Sequence, residues 1–269
     1  MKNEKNIISV SRRTDIPAFH NDWFFEKLKQ GYVEVKNPFN PNQIRNVSLK
    51  KEDVLGFVFW TKNPEKMIGK LNLLKDYFYY FLFTLNPYQK DIETNVPEKT
   101  KIIDAFKKLS DLIGRKKVIW RYDPILLSEK YDQNYHFEQF DDLANKLHHH
   151  TEKCIISFLD LYRKTKRKTK HLNLKEVSEN EKIEIAGKFF EIAKKYDLKI
   201  QSCAEKIDFT EVGIPAGKCI DDELISEISR QPLDVRKDRN QRKECKCVQS
   251  IDIGDYNTCL HHCLYCYAD

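Results

Sequence analysis

The sequence is short of glycine and proline. Its 8 Gly and 9 Pro in 269 residues exclude a low-complexity or disordered chain. It also lacks a long apolar run. The longest mainly apolar stretch, Tyr77 to Leu85, is far too short to cross a bilayer, and the polar opening from Met1 to Asn6 has no signal-peptide pattern. Both absences point to a cytoplasmic protein with no membrane partner. In a cytosol that keeps thiols reduced, the 8 cysteines read as metal ligands rather than disulfides. Charge of neither sign is lacking: 47 Lys and Arg against 41 Asp and Glu leave a formal +6, which permits an anionic or nucleic-acid substrate without requiring one.

What is present is a repeated grammar. With 41% hydrophobic residues the chain can build a sizeable core, and its length suits one domain over 1–269. Ile7 to Ser11 reads as a strand that ends in Arg12-Arg13-Thr14-Asp15, followed by a helix from Trp23 to Gln30 stopped at Gly31. Tyr32 to Val35 and Asn46 to Leu49 form a hairpin across a Pro/Asn loop. The run Val54 to Trp60 has the continuous apolar character of a strand buried on both faces; it closes in Thr61-Lys62-Asn63-Pro64, and a helix follows to about Leu74. Further strands at Phe78 to Leu85, Lys117 to Trp120, Cys154 to Leu159, Leu198 to Gln201 and Val248 to Ile253 alternate with helices at Glu98 to Ile113, Phe137 to His148 and Asn180 to Tyr196.

Strands alternating with helices give a parallel sheet with crossover helices. Six or seven such units predict an α/β fold, a partial or full (β/α) TIM-like barrel, with polar strand ends gathered at one mouth. Lys62, Asn63, Asn86, Asp160, Gln201 and Glu205 are candidate pocket residues on that basis. Tyr122 and Tyr162 either stack on a ligand or pack in the interior. Arg163 to Lys170 places six cations in eight residues; it reads as a solvated loop or as a phosphate or nucleic-acid contact. His148 to His150 ends a helix and is not assigned to a metal.

Seven of the eight cysteines follow residue 200, and Cys259, Cys263 and Cys266 stand at Cx3Cx2C spacing with Tyr265 before the third. Iron–sulfur clusters are ordinarily held by four thiolates, so three in one loop predict a 4Fe–4S cluster with one iron open. The competing reading, zinc completed by His261 or His262, has poor ligand spacing. Cys203, Cys219, Cys245 and Cys247 form a looser set of four, which reads as an auxiliary 4Fe–4S cluster or as a structural zinc site. Cys154 opens an apolar strand and reads as an inert core thiol.

The loop Cys259 to Cys266 is similar to the cluster loop of radical S-adenosylmethionine enzymes, and CLHHCLYCYA resembles that of the spore photoproduct lyase-like branch. The phrases SRRTDIPAF, FWTKNP, FTLNPY, IWRYDPI, SFLDLY and QRKECKC together resemble the domain-of-unknown-function 1848 family over nearly the whole chain. This resemblance implies S-adenosyl-L-methionine bound at the open iron and a 5'-deoxyadenosyl radical that abstracts hydrogen from a substrate. A reducing partner such as a ferredoxin or flavodoxin would supply the electron. Ordinary members carry the cysteine loop after the first strand. Here it follows the last, as in a circular permutation of the barrel, which makes Arg12, Arg13 and Asp15, with Tyr265, Arg121 and Asp123, the candidates for cofactor binding. Two other functions compete: an iron–sulfur electron-transfer or sensing protein that leaves the cofactor intact, and a zinc-stabilised nucleic-acid-binding protein.

Overall fold

The computed structural model describes residues 5–38 and 40–268. The opening residues 1–4, Phe39 in the expected Pro/Asn loop and Asp269 at the end of the cysteine segment lie outside the described residues. In chain order the strands are β1 (Asn6–Val10), β2 (Tyr32–Asn37), β3 (Asn40–Ser48), β4 (Val54–Thr61), β5 (Tyr79–Thr84), β6 (Val118–Ile125), β7 (Lys153–Phe158), β8 (Lys199–Ser202) and β9 (Ile251–Asp252). The helices are α1 (Ile16–Phe19), α2 (Asn21–Gln30), α3 (Glu65–Ile68), α4 (Lys99–Ile113), α5 (Gln133–Leu147), α6 (Arg163–Lys168), α7 (Glu179–Lys195) and α8 (Asp222–Ser229).

Seven strands form one sheet in the order β8-β7-β6-β5-β4-β1-β9, while β2 and β3 pair as a separate antiparallel hairpin. Every pairing within the larger sheet is parallel. This is a partial, circularly permuted TIM-like barrel. The permutation is visible in one pairing: β9, last in the chain, lies beside β1, the first, with Ile8 opposite Ile251 and Ser9 opposite Asp252. The segments that follow β1 and β9 therefore emerge side by side.

Side-chain alternation along the strands divides the core. Phe57, Phe59, Phe81, Phe83 and Trp120 point to one face, where Phe24 of α2, Phe106 of α4, Phe140 of α5 and Phe189 of α7 cover them. Phe140 stacks on Phe189 at 4.1 Å and on Trp120 at 5.0 Å. The intervening residues Ile7, Val58, Tyr80, Leu82, Ile119 and Ile155 face the other way, against Leu224 and Ile225 of α8 and against Cys219, Ile220 and Val248. Thus α8 fills the inner face instead of joining the outer helices, and Tyr80 secures its start by donating to Cys219 O and accepting from Asp221 N at 2.9 Å.

Local signals explain most boundaries. Gly31 ends α2 in the left-handed region at φ 83°, where glycine is least strained. Ser178 and Glu181 form a capping box at the start of α7. Asp132 caps α5 by accepting from Tyr135 N, so that helix begins four residues before its apolar pattern does. The helix expected up to Leu74 is instead α3 and a separate 3-10 turn at Leu71–Leu74. The basic run expected as a loop is helical in α6. Its threonines decide this: Thr165 and Thr169 are buried, and the Thr169 hydroxyl donates to Thr165 O, leaving most of the cations outside. Cys154 is fully buried, and burial pushes its thiol far above the ordinary range, as an inert core residue should be. Among the described residues no helix is long and apolar enough to cross a membrane.

Candidate functional site

The strand ends converge on a cavity of about 300 Å³ at one mouth of the sheet. After β1 come Arg12, Arg13 and Asp15; after β4, Lys62; on β6, Arg121 and Asp123. Asp160 and Tyr162 follow β7, Cys203 follows β8, and the loop after β9 brings Cys259, Cys263, Tyr265 and Cys266 to the same wall. Of the other expected pocket residues, Asn63, Asn86, Gln201 and Glu205 do not line this cavity. Asn86 is buried beside it, donating to Asp123 O and to the Tyr265 hydroxyl. Glu205 accepts from Phe158 N at 2.8 Å, and burial raises its pKa. Tyr122 is a core residue whose hydroxyl meets His136 Nδ1 at 2.7 Å, whereas Tyr162 is exposed at the rim near Tyr267.

Asp252, at the end of β9, ties the permuted ends together. Its carboxylate accepts from Ser9 Oγ, Ser11 Oγ and Arg12 N, and Arg13 Nε stands 4.0 Å away. Asp15 caps α1 by accepting from Ala18 N, and it also accepts from Thr61 Oγ1, Lys62 N and His261. With that many donors the Asp15 carboxylate is committed to holding the mouth in shape. The backbone at Gly254 passes so close that an added Cβ would come within 2.5 Å of Ser11 Cβ.

The irregular loop between β5 and α4 clamps the cysteine loop. Glu93 pairs as an isolated antiparallel bridge with Cys263, Leu264 N donates to Ile92 O, and Asn95 N donates to His261 O. The Glu93 carboxylate is buried and accepts from Lys62 Nζ at 2.7 Å, from Lys99 and from the Tyr265 hydroxyl. Burial alone would raise its pKa, but Lys62 and Lys99 outweigh that and lower it to about 2. Burial likewise opposes the Lys62 charge, and Glu93 more than restores it. For Lys99 burial prevails and the pKa falls. Glu93 and Lys99 escape sequence reasoning because they belong to no strand-end tag; they meet Lys62 and Tyr265 only in three dimensions.

Two guanidinium groups share one indole. Arg12 and Arg121 lie over the Trp60 ring at 5.4 and 4.8 Å, and Trp60 Nε1 donates to Ser9 Oγ at 3.1 Å. Arg121 pairs with Asp123, and Asp123 also accepts from Ser157 Oγ. Burial works against the Arg121 charge, yet Asp123 and the nearby thiols raise its pKa above the usual value. For Arg12 burial is opposed by Cys247 and Asp252, again with a net rise. Even so, Arg12 Nη2 and Arg121 Nε are buried without a hydrogen-bond partner. Trp60 closes an apolar strand run and therefore carries no sequence signal of a mouth position.

The thiols fall into two arrangements. Cys203 Sγ and Cys219 Sγ are 3.3 Å apart. Cys219 and Cys245 each hydrogen-bond Cys247, whose sulfur also accepts from Ile220 N. These hydrogen bonds, with the Arg12 charge, hold Cys247 well below the ordinary thiol range, while the same bonds and burial raise Cys219 and Cys245. In the C-terminal loop burial dominates instead. It pushes Cys259 up to about 11, helped by Asp15, and Cys263 higher still.

The model of the family described as a domain of unknown function (DUF1848) matches residues 7–268. The chain belongs to this family. No curated protein matches it.

Family membership bears out the resemblance to the domain-of-unknown-function 1848 family alone, and the expected metal chemistry does not survive. Among the described residues no group of three or more His, Cys, Asp or Glu side chains is assembled so that it could hold a metal ion. This overturns the 4Fe–4S cluster expected on Cys259, Cys263 and Cys266. It equally overturns the auxiliary cluster, or zinc, expected on Cys203, Cys219, Cys245 and Cys247. The radical S-adenosylmethionine activity, that cofactor, the iron–sulfur electron-transfer alternative and the zinc-stabilised nucleic-acid-binding alternative rested on those metal centres and are corrected with them. His261 is turned to Asp15 instead, at 2.9 Å.

Proposed function

We propose that the protein binds a small organic anion, a carboxylate or phosphate ester, in the cavity at the barrel mouth. The observation that carries this reading is the pair of buried, unpartnered nitrogens on Arg12 and Arg121, both cavity residues stacked on Trp60. A buried donor left unpaired costs about 1–3 kcal/mol, and guanidinium is the side chain best matched to the oxygens of a carboxylate or phosphate. Arg13 adds positive charge to the same wall, whereas Lys62 and Arg242 are paired with Glu93 and Asp160. Of the acidic residues there, Asp15 is occupied by internal donors, while Asp123 and Asp160 are paired with Arg121 and Arg242. The exposed rings of Tyr162 and Tyr267 at the rim suit a ligand with a flat organic part.

Titration of tryptophan fluorescence with citrate, a nucleoside monophosphate and inorganic phosphate, each against a neutral analogue, tests the reading. Saturable quenching by an organic anion is expected, with the Trp60→Phe variant losing the signal. Arg121→Gln, checked for folding by circular dichroism, should weaken binding about tenfold or more, the range of one charge-assisted hydrogen bond. Anions that bind no better than their neutral analogues, or unchanged affinity in both Arg12→Gln and Arg121→Gln, would refute it.

A further inference from the structure

The chain of four thiols lies on the wall of the same cavity as the two arginines that each keep an unpartnered nitrogen. Cys203 is half-buried while Cys219, Cys245 and Cys247 are buried, so an incoming molecule meets Cys203 first. The backbone holds Cys203 and Cys219 together. Ser202 N donates to Pro215 O at 3.0 Å, Gly217 N donates to Ser202 O at 2.7 Å, and Cys203 N is fixed on Ile156 O at 2.9 Å. Their sulfurs, 3.3 Å apart, need to approach by little more than about 1 Å to reach a disulfide length of about 2.05 Å.

We propose that this wall carries out thiol–disulfide exchange with a small acidic disulfide, held through its carboxylates by Arg12 and Arg121; the inference rests on the anion-binding reading above. Cys203 loses its proton to solvent and attacks one sulfur of the bound disulfide. A bond forms between Cys203 and that sulfur, the substrate S–S bond breaks, and one thiolate leaves. Cys219 then attacks Cys203 Sγ, forming the Cys203–Cys219 disulfide and expelling the second thiolate. The two protein thiols supply two electrons and two protons, so the products are one protein disulfide and two small thiols; excess small thiol reverses the sequence. Attack requires a thiolate. The volume of about 300 Å³ admits a small molecule.

The test treats the reduced full chain with dithiobis(nitrobenzoate), a dianionic aromatic disulfide, and with neutral dithiodipyridine, following thiol release by stopped-flow absorbance and mapping the product by peptide mass spectrometry. The expected result with the dianion is a fast phase releasing both halves of the probe, with the new disulfide at Cys203–Cys219. Cys203→Ser should abolish that phase. Cys219→Ser should release one half only and trap the probe on Cys203 with the other thiols unmodified, a product that loss of folding would not give. Arg121→Gln should slow the dianion about tenfold or more and leave the neutral probe little changed. A fast phase that survives Cys203→Ser, or that maps to Cys259, Cys263 or Cys266, overturns the exchange even where citrate still binds. A Cys203–Cys219 disulfide formed equally fast with both probes in native protein and Arg121→Gln overturns the acidic substrate class and the anion reading with it.

Discussion

Glu93→Gln keeps the shape of a buried side chain and removes the charge that two ammonium groups need. In the native protein Lys62 and Lys99 both pair with that carboxylate, and Tyr265 donates to it. Folding holds the carboxyl at about 2 against its ordinary 4.5, a difference worth roughly 3 kcal/mol. The independent expectation for removing one partner of a buried ion pair is about 3–5 kcal/mol, and the two agree. Because folding lowers this pKa, the stabilisation is complete above about 4.5 and disappears as the pH falls through about 2. Thermal unfolding at pH 7 should show the variant melting lower by about 6 °C or more, taking roughly 2 °C per kcal/mol for a chain of this size. The loss should be concentrated in the clamp, so alkylation of Cys263, buried in the native protein, should accelerate. Adding Lys62→Met and Lys99→Met should return part of the stability, since a well-packed apolar replacement often equals a buried ion pair. A Glu93→Gln protein that melts within 1 °C of the parent, with Cys263 still protected, would refute the reasoning.

Other consequences follow from the core and the mouth. His136 is fully buried between Tyr122 and Leu126 O, and burial holds its pKa at about 4 against 6.5; its contribution is complete above pH 6.5 and falls away towards pH 4, by roughly 3 kcal/mol. Urea unfolding across that window should show the decline in the parent and a flatter profile in His136→Gln. Gly254→Ala should destabilise by about 1–3 kcal/mol through overpacking, since its methyl group would press on Ser11 and Thr14. Equal unfolding midpoints for Gly254→Ala and the parent would show that the mouth yields more readily than its packing implies.

The alternation of apolar strands and amphipathic helices was legible in the sequence because each element answers to a local period. Val54 to Trp60 is continuously apolar and lies buried on both faces; Ile102, Ile103, Phe106 and Leu109 recur at helical spacing and form the inner side of α4. The polar strand ends also announced the mouth, and Arg12, Arg13, Asp15, Lys62, Arg121 and Asp123 do line one cavity. Short elements were not legible. Helix α8 has eight residues, and its position on the inner face comes from Tyr80, which is 139 residues from Cys219 along the chain. Cysteine spacing misled for a related reason. It counts residues along the backbone, whereas a donor set depends on where each sulfur points, which the tertiary packing decides.

By itself, then, the chain's pattern of apolar periods and strand-end polar residues determined a parallel α/β barrel with its polar strand ends at one mouth. Tertiary structure alone decided that Glu93 would clamp the cysteine loop through Lys62 and Tyr265, that Arg12 and Arg121 would meet over Trp60, and that Cys203 would lie 3.3 Å from Cys219. The physical reason is range. Hydrophobic periodicity acts between near neighbours in the chain, while charge pairing and sulfur contact depend on distances that only the folded packing sets.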